Sequence, residues 1–115
     1  MARRIAFVVG AYSPEERARR EKVALAYSTP EVQVGIVHTH VTPYVHDLTP
    51  AEISLVAPAL MQAFKEAEDQ GYDAVVPLGF LDLGVDGGRS VVDIPVIGPF
   101  HAALHLGSLL GDRLG

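Results

Sequence analysis

Cysteine is absent from all 115 residues. That absence excludes disulfides, thiolate metal ligands and thiol catalysis together. Basic blocks are also missing. The formal charge is −5, and the one basic cluster, Arg17, Arg19, Arg20 and Lys22, sits among Glu15, Glu16 and Glu21. The cluster reads as a solvated helix face, and nucleic acid is not an expected partner. No stretch approaches the ~20 apolar residues of a membrane span, so no membrane partner is expected either. Neither a P-loop nor a GxGxxG pattern occurs, which leaves nucleotide binding without support. The start, MARRIAFVVGAYS, has the charged opening and apolar run of a very short signal peptide. The run is only strand length and leads into a capped helix, so it reads as a first strand of a soluble, cytoplasmic protein.

What is present is a globular composition, with 49% apolar and 7% aromatic residues. Residues 1–115 are expected to form a single α/β domain, with no repeat, long linker or low-complexity segment. Ile5 to Val9 is a continuous apolar run, as expected of a strand buried on both faces. Ser13-Pro14-Glu15-Glu16 supplies a cap, a proline at the first helical position and a glutamate able to complete a capping box. That helix is expected to run to about Tyr27, where Ser28, Thr29 and Pro30 break it. Val32 to Val41 reads as the second strand, with Val32, Val34, Ile36, His38 and His40 falling on one face. Thr49-Pro50-Ala51-Glu52 starts a second helix whose Ile53, Val56, Leu60, Ala63, Phe64 and Ala67 recur at spacings of three and four. Pro58 lies inside it and is a possible bend.

Ala74 to Phe80 and Ile94 to Ile97 are the expected third and fourth strands. Gly87 to Val92 reads as a short helix between them, and a last apolar-sided helix begins at Phe100. Strands alternating with helices imply a mainly parallel four-stranded sheet in a flavodoxin-like three-layer sandwich. In such a sheet ligands bind beyond the carboxyl ends of the strands. Those ends carry Gly10 to Ser13, His38 to His46, Gly79 to Gly84 and Gly98 to His101.

The turn Gly79-Phe80-Leu81-Asp82-Leu83-Gly84 is able to turn backbone amides toward an anion such as a carboxylate, or merely to permit a tight turn. Asp82 suits three roles: base, helix cap, or partner of the turn backbone. Arg89 has the planar fork for a carboxylate, and also has Asp86 and Asp93 near it in sequence. Histidines at 38, 40, 46, 101 and 105 raise zinc as a possibility, since three imidazoles with an open position make a catalytic site. Nothing in their spacing closes such a site and HExxH is absent, so no metal and no other cofactor is expected.

GYDAVV, followed by LGFLDLGVDGGRS and DIPVIGPFHAALHLGSLLGDR, resembles the first lobe of the Asp/Glu/hydantoin racemase superfamily. Phe80, Asp82, Gly84, Arg89, Asp93, Ile94, Pro95, Val96 and Gly98 match the family's pattern over about Gly71 to Gly111. The resemblance implies a single lobe of a fold in which two lobes face each other, each giving a cysteine that moves the substrate's α-proton. Gly79 stands at the first cysteine position, and the second lobe is expected from another copy. The decarboxylase branch of the superfamily also has glycine there. Two-cysteine racemization is thereby excluded for this chain alone.

The expectation is an Asp/Glu/hydantoin racemase-like protein: a thiol-independent isomerase or lyase acting on a small carboxylate or amino-acid derivative. The alternatives are a non-catalytic carboxylate-binding module and a shortened relic of a racemase. His40, His46, Asp82 and His101 are the candidate proton carriers, because histidine is matched to transfer near neutral pH. Ser13, Thr42, Tyr44, Gly79, Phe80, Gly84 and Arg89 are the candidate substrate-binding residues. A homodimer with inward-facing strand-end loops would recreate the missing lobe.

Overall fold

The computed structural model describes residues 2–10, 12–39, 49–79 and 81–113. Strands β1 (Arg3–Val9), β2 (Val32–His38) and β3 (Ala74–Pro77) form a parallel sheet in the order β2-β1-β3. Helix α1 (Pro14–Leu25) lies between β1 and β2 in the chain, and α2 (Pro50–Asp69) precedes β3. A one-turn helix α3 (Val85–Gly88) and a longer α4 (Pro99–Leu110) follow. Arg3 to Val9 pair residue by residue with Val32 to His38, while Ile5 to Val8 pair with Ala74 to Pro77.

The central position of β1 explains its composition. Ala6, Val8 and Val9 are buried almost completely, as a strand hydrogen-bonded on both sides requires. Ala6 and Val8, two apart and so on one face, join a core with Leu60, Ala63, Phe64 and Ala67 of α2. Val37, Val75, Val85, Val92 and Val96 complete it. The spacing of three and four along α2 is the one expected from the sequence, and the helix runs through Pro58 without ending. On β2, Val37 is the buried residue, whereas Val32, Val34 and Ile36 are only half-buried. Val37 joins the core that α2 builds, so the parity read from the sequence marks the less covered face.

Ser13 caps α1 as expected, its Oγ accepting from the Glu16 amide at 3.3 Å. Glu16 does not close a capping box. Its carboxylate takes Arg19 at 2.6 Å and Arg20 at 2.8 Å instead. The helix ends at Leu25, two residues short of Tyr27. Beyond it, Ser28 Oγ and Thr29 Oγ1 accept from the amides of Val34 and Val32, pinning the loop to the edge of β2. At the opening end of β1, Arg4 stacks over Tyr72 at 4.4 Å and its amide donates to Asp73.

The fourth strand is not formed. Ile94 to Ile97 make one parallel bridge, Val75 with Val96, through Val75 N to Pro95 O and Ile97 N to Val75 O, both 3.0 Å. The reason is local hydrogen bonding. Pro95 has no N–H to give. The Asp93 and Ile94 amides donate to Glu68 at the end of α2, at 2.6 and 3.3 Å. Arg89 Nε donates to the Val96 carbonyl at 3.2 Å. With Pro95 lacking a donor and the Asp93 amide engaged, the segment offers β3 no donor before Ile97, and the ladder stops at one bridge. The four-stranded, flavodoxin-like arrangement depended on it, and the observed architecture is an α/β fold around three parallel strands. The short helix also falls earlier than Gly87 to Val92, because Val85 is buried in the core and Gly88 packs under the Phe64 ring.

Helix α4 has no side-chain cap of its own, since Gly98 stands at its N-cap. Asp82 supplies the cap from sixteen residues earlier: its Oδ1 accepts from Phe100 N at 2.8 Å and its Oδ2 from His101 N at 2.9 Å. Gly98 makes this approach possible, because a Cβ there would lie 2.5 Å from Asp82 Oδ2. Asp82 holds a left-handed φ of 49°, a conformation aspartate tolerates better than most residues.

Two predictions follow from these contacts. Asp82→Ala should lower stability by about 2 kcal/mol in urea titration, ~1 for the lost cap and ~1 for alanine at positive φ, while Asp82→Asn should lose less. Glu16 is pulled down to about 2 by Arg19 and then Arg20, and Glu68 is lowered by the Asp93 amide and then Lys65. Carboxylates with depressed folded values stabilise the fold fully above their ordinary value of 4.5 and lose that contribution as pH falls through the folded value. The stability gap between wild type and Glu68→Gln, present at pH 7, should therefore narrow below about pH 4.5.

Candidate functional site

Parallel pairing brings the carboxyl ends of the three strands together. Val9 lies beside His38 and Val8 beside Pro77. The hydrogen bonding continues one residue further on each flank, with Thr39 N donating to Val9 O at 3.0 Å and Leu78 N to Val8 O at 2.9 Å. The chain after β1, the start of the segment after β2 and the Gly79 turn after β3 therefore leave from one edge. Asp82 then binds the first turn of α4 to that turn, adding Gly98 to His101 to the same neighbourhood.

At this edge Tyr12 lies beside Gly10, and Arg20 stacks over the Tyr12 ring at 4.1 Å. Ser13 sits at the start of α1, where its oxygen serves as the cap and its hydroxyl proton is left to donate. Gly79 has a φ of +153° and, among the described residues beyond its chain neighbours, no atom within 4 Å of the place a Cβ would occupy. The position that matches the family's first cysteine therefore borders open space. Gly84 faces the other way. A Cβ there would meet Leu60 at 3.1 Å, so this glycine serves the packing of the turn against α2.

Asp82 is committed to α4 through both carboxylate oxygens, which leaves the capping role as the one its geometry displays. Arg89 is likewise engaged, by the Val96 carbonyl and, at 3.8 Å, by Asp86. The His101 amide is held while its side chain is exposed, one helical turn from exposed His105. His40, Thr42, Tyr44, His46 and Phe80 lie outside the described residues. Among the described residues no three His, Asp or Glu side chains group as metal ligands. His38, one of the histidines that raised zinc as a possibility, pairs through Nε2 with Glu21 of α1. No helix among the described residues is long and apolar enough to cross a membrane.

Two features escaped the sequence reading. One is the His38–Glu21 pair, which ties α1 to the end of β2. The other is the orientation of the basic cluster. Arg17, Arg20 and Glu21 are all partly buried and Ala24 is buried. These positions recur at i, i+3, i+4 and i+7, so they form the sheet-facing stripe of α1 rather than a fully solvated face. That periodicity was available in the sequence but was hidden by the alternation of charge.

Comparison with known proteins agrees with this geometry. Allantoin racemase from Klebsiella pneumoniae has a similar fold, with a TM-score of 0.79 at 22% identity. The match covers 94% of this chain but only 44% of that protein, so the chain spans less than half the relative's length. No curated protein sequence matches. The family model described as Asp/Glu/Hydantoin racemase matches residues 18–115, most of the sequence. The chain belongs to the Asp/Glu/hydantoin racemase family.

Proposed function

We propose that this chain binds a small carboxylate or amino-acid derivative at the carboxyl edge of its sheet, as one lobe of an isomerase or lyase that works without thiols. The observation that carries this reading is Gly79. The turn where the family's cysteine would stand is tied to α4 by Asp82 and, among the described residues, borders open space. The edge thus keeps room for a ligand while lacking the family's proton carrier. Among the described residues, His101 at the first turn of α4 is the candidate for that role, its imidazole exposed and able to give or take a proton. His40 and His46 stand as candidates with it.

A second copy completes the site in this reading, its own edge set opposite the first by a two-fold axis. One observation supports it. Helix α4 bears no Asp, Glu, Lys or Arg, and it leaves Leu106, Leu109 and Leu110 at 60%, 72% and 89% exposure. An uncharged, leucine-rich surface suits contact with its own copy, where like charges would repel. A second reading, a carboxylate-binding module without turnover, is favoured by the commitment of both Asp82 oxygens to backbone amides.

The test is α-proton exchange in deuterated buffer, followed by NMR with aspartate, glutamate, hydantoins and allantoin. Exchange that disappears in a folded His101→Ala or His40→Ala variant is the expected result for a thiol-free enzyme. Saturable line broadening of one carboxylate without exchange would replace the enzyme by the binding module. Neither signal from folded protein at concentrations where it sediments as a dimer would leave the relic.

A further inference from the structure

Among the described residues Arg17 has no counter-ion, whereas its neighbours do. On α1 the carboxylate of Glu16 is shared by Arg19 and Arg20, and Glu21 is taken by His38. Arg20 also has the Tyr12 ring beneath it. Arg17 occupies the sheet-facing stripe one turn from Ser13, its amide bonded to the Ser13 carbonyl at 2.9 Å. Its Nε is buried and has no hydrogen-bond partner among the described residues. Among the described residues no carboxylate lies within ion-pair distance of its guanidinium.

A buried donor on a permanently charged group is costly to leave unmatched, so such an atom calls for an explanation. Its location gives one. Helix α1 starts immediately beyond β1, so its first turn stands at the edge where the three strands end. The chain carries a net charge of −5, yet no described carboxylate neutralises the inward-facing cation at this edge. A guanidinium presents a planar fork that takes both oxygens of a carboxylate. The Ser13 hydroxyl, with its proton free, stands one turn away as a second donor.

We propose that Arg17 is the anion anchor of this edge, its guanidinium taking the carboxylate of the small ligand. This rests on the reading above that a small carboxylate binds here, and it adds which residue selects for the charge. A ligand so held is distinguished from its neutral amide by the ion pair, which the two terminal guanidinium nitrogens make.

Titration of the full chain with succinate and with succinamide, followed by NMR, tests the assignment. Wild type should bind succinate at least about tenfold more tightly than the diamide, as charge-assisted bidentate contact predicts. Arg17→Gln should lose that discrimination while its weak binding of succinamide is unchanged. Arg17→Lys should recover part of it, having the charge without the fork. Lys22→Gln, which removes an exposed cation of the same helix, should behave as wild type. The Arg17 Nε–H resonance should shift on saturation with succinate, a readout that needs no variant to fold. Succinate binding by Arg17→Gln equal to wild type, or an Nε–H resonance unmoved at saturation, would overturn the anchor and leave the carboxylate reading standing. A wild type indifferent to succinate would remove both.

Discussion

Parallel pairing of β1 with a neighbour on each side is the constraint from which the rest follows. Parallel strands need long crossovers, and those crossovers place helices against the sheet. Cover by α2 explains the buried alternation of Ala6 and Val8. The same pairing aligns all three carboxyl ends, so segments far apart in sequence leave from one edge. The binding edge is thus a geometric by-product of satisfying the β1 backbone. At the other end Arg4, Tyr72 and Asp73 engage one another, which gives the two ends of the sheet different chemistry.

Single carboxylates then do the work of fastening. Glu68 holds the amides of Asp93 and Ile94, and Asp82 holds those of Phe100 and His101. Each reaches across a long sequence separation to backbone donors that the local fold leaves open. The cost of these attachments is a lost strand in one case. In the other it is an aspartate whose oxygens are no longer available for chemistry. Fixing the turn and reacting with a substrate compete for the same two atoms.

Much of this was legible in the sequence, wherever the signal was local. The Ser13 cap, the α2 stripe from Leu60 to Ala67 and the order of strands and helices all depend on neighbours within one or two turns. What was not legible depends on distant partners. Ile94 to Ile97 has the composition of a strand, and the reach of Glu68 to the Asp93 amide shows why it stops at one bridge. Asp82 before a short glycine-bearing helix suggests a cap, but its target is the helix beyond that one. Arg17 was hidden for a different reason: charge alternation suggested solvent on every side, while the period of α1 turned this residue inward.

Helix α4 draws little free energy from burial within the described chain, since none of its residues is fully buried and only Pro99, Ala102 and Gly107 are half-buried. Nor do charged pairs along its surface hold it together. Twelve residues are marginal for an isolated helix in water, so the Asp82 cap favours starting the helix more than sustaining it. Whatever covers the leucines supplies the remainder. The helix therefore behaves as a reporter of contact, and its folding and its encounter with a neighbour form one coupled equilibrium.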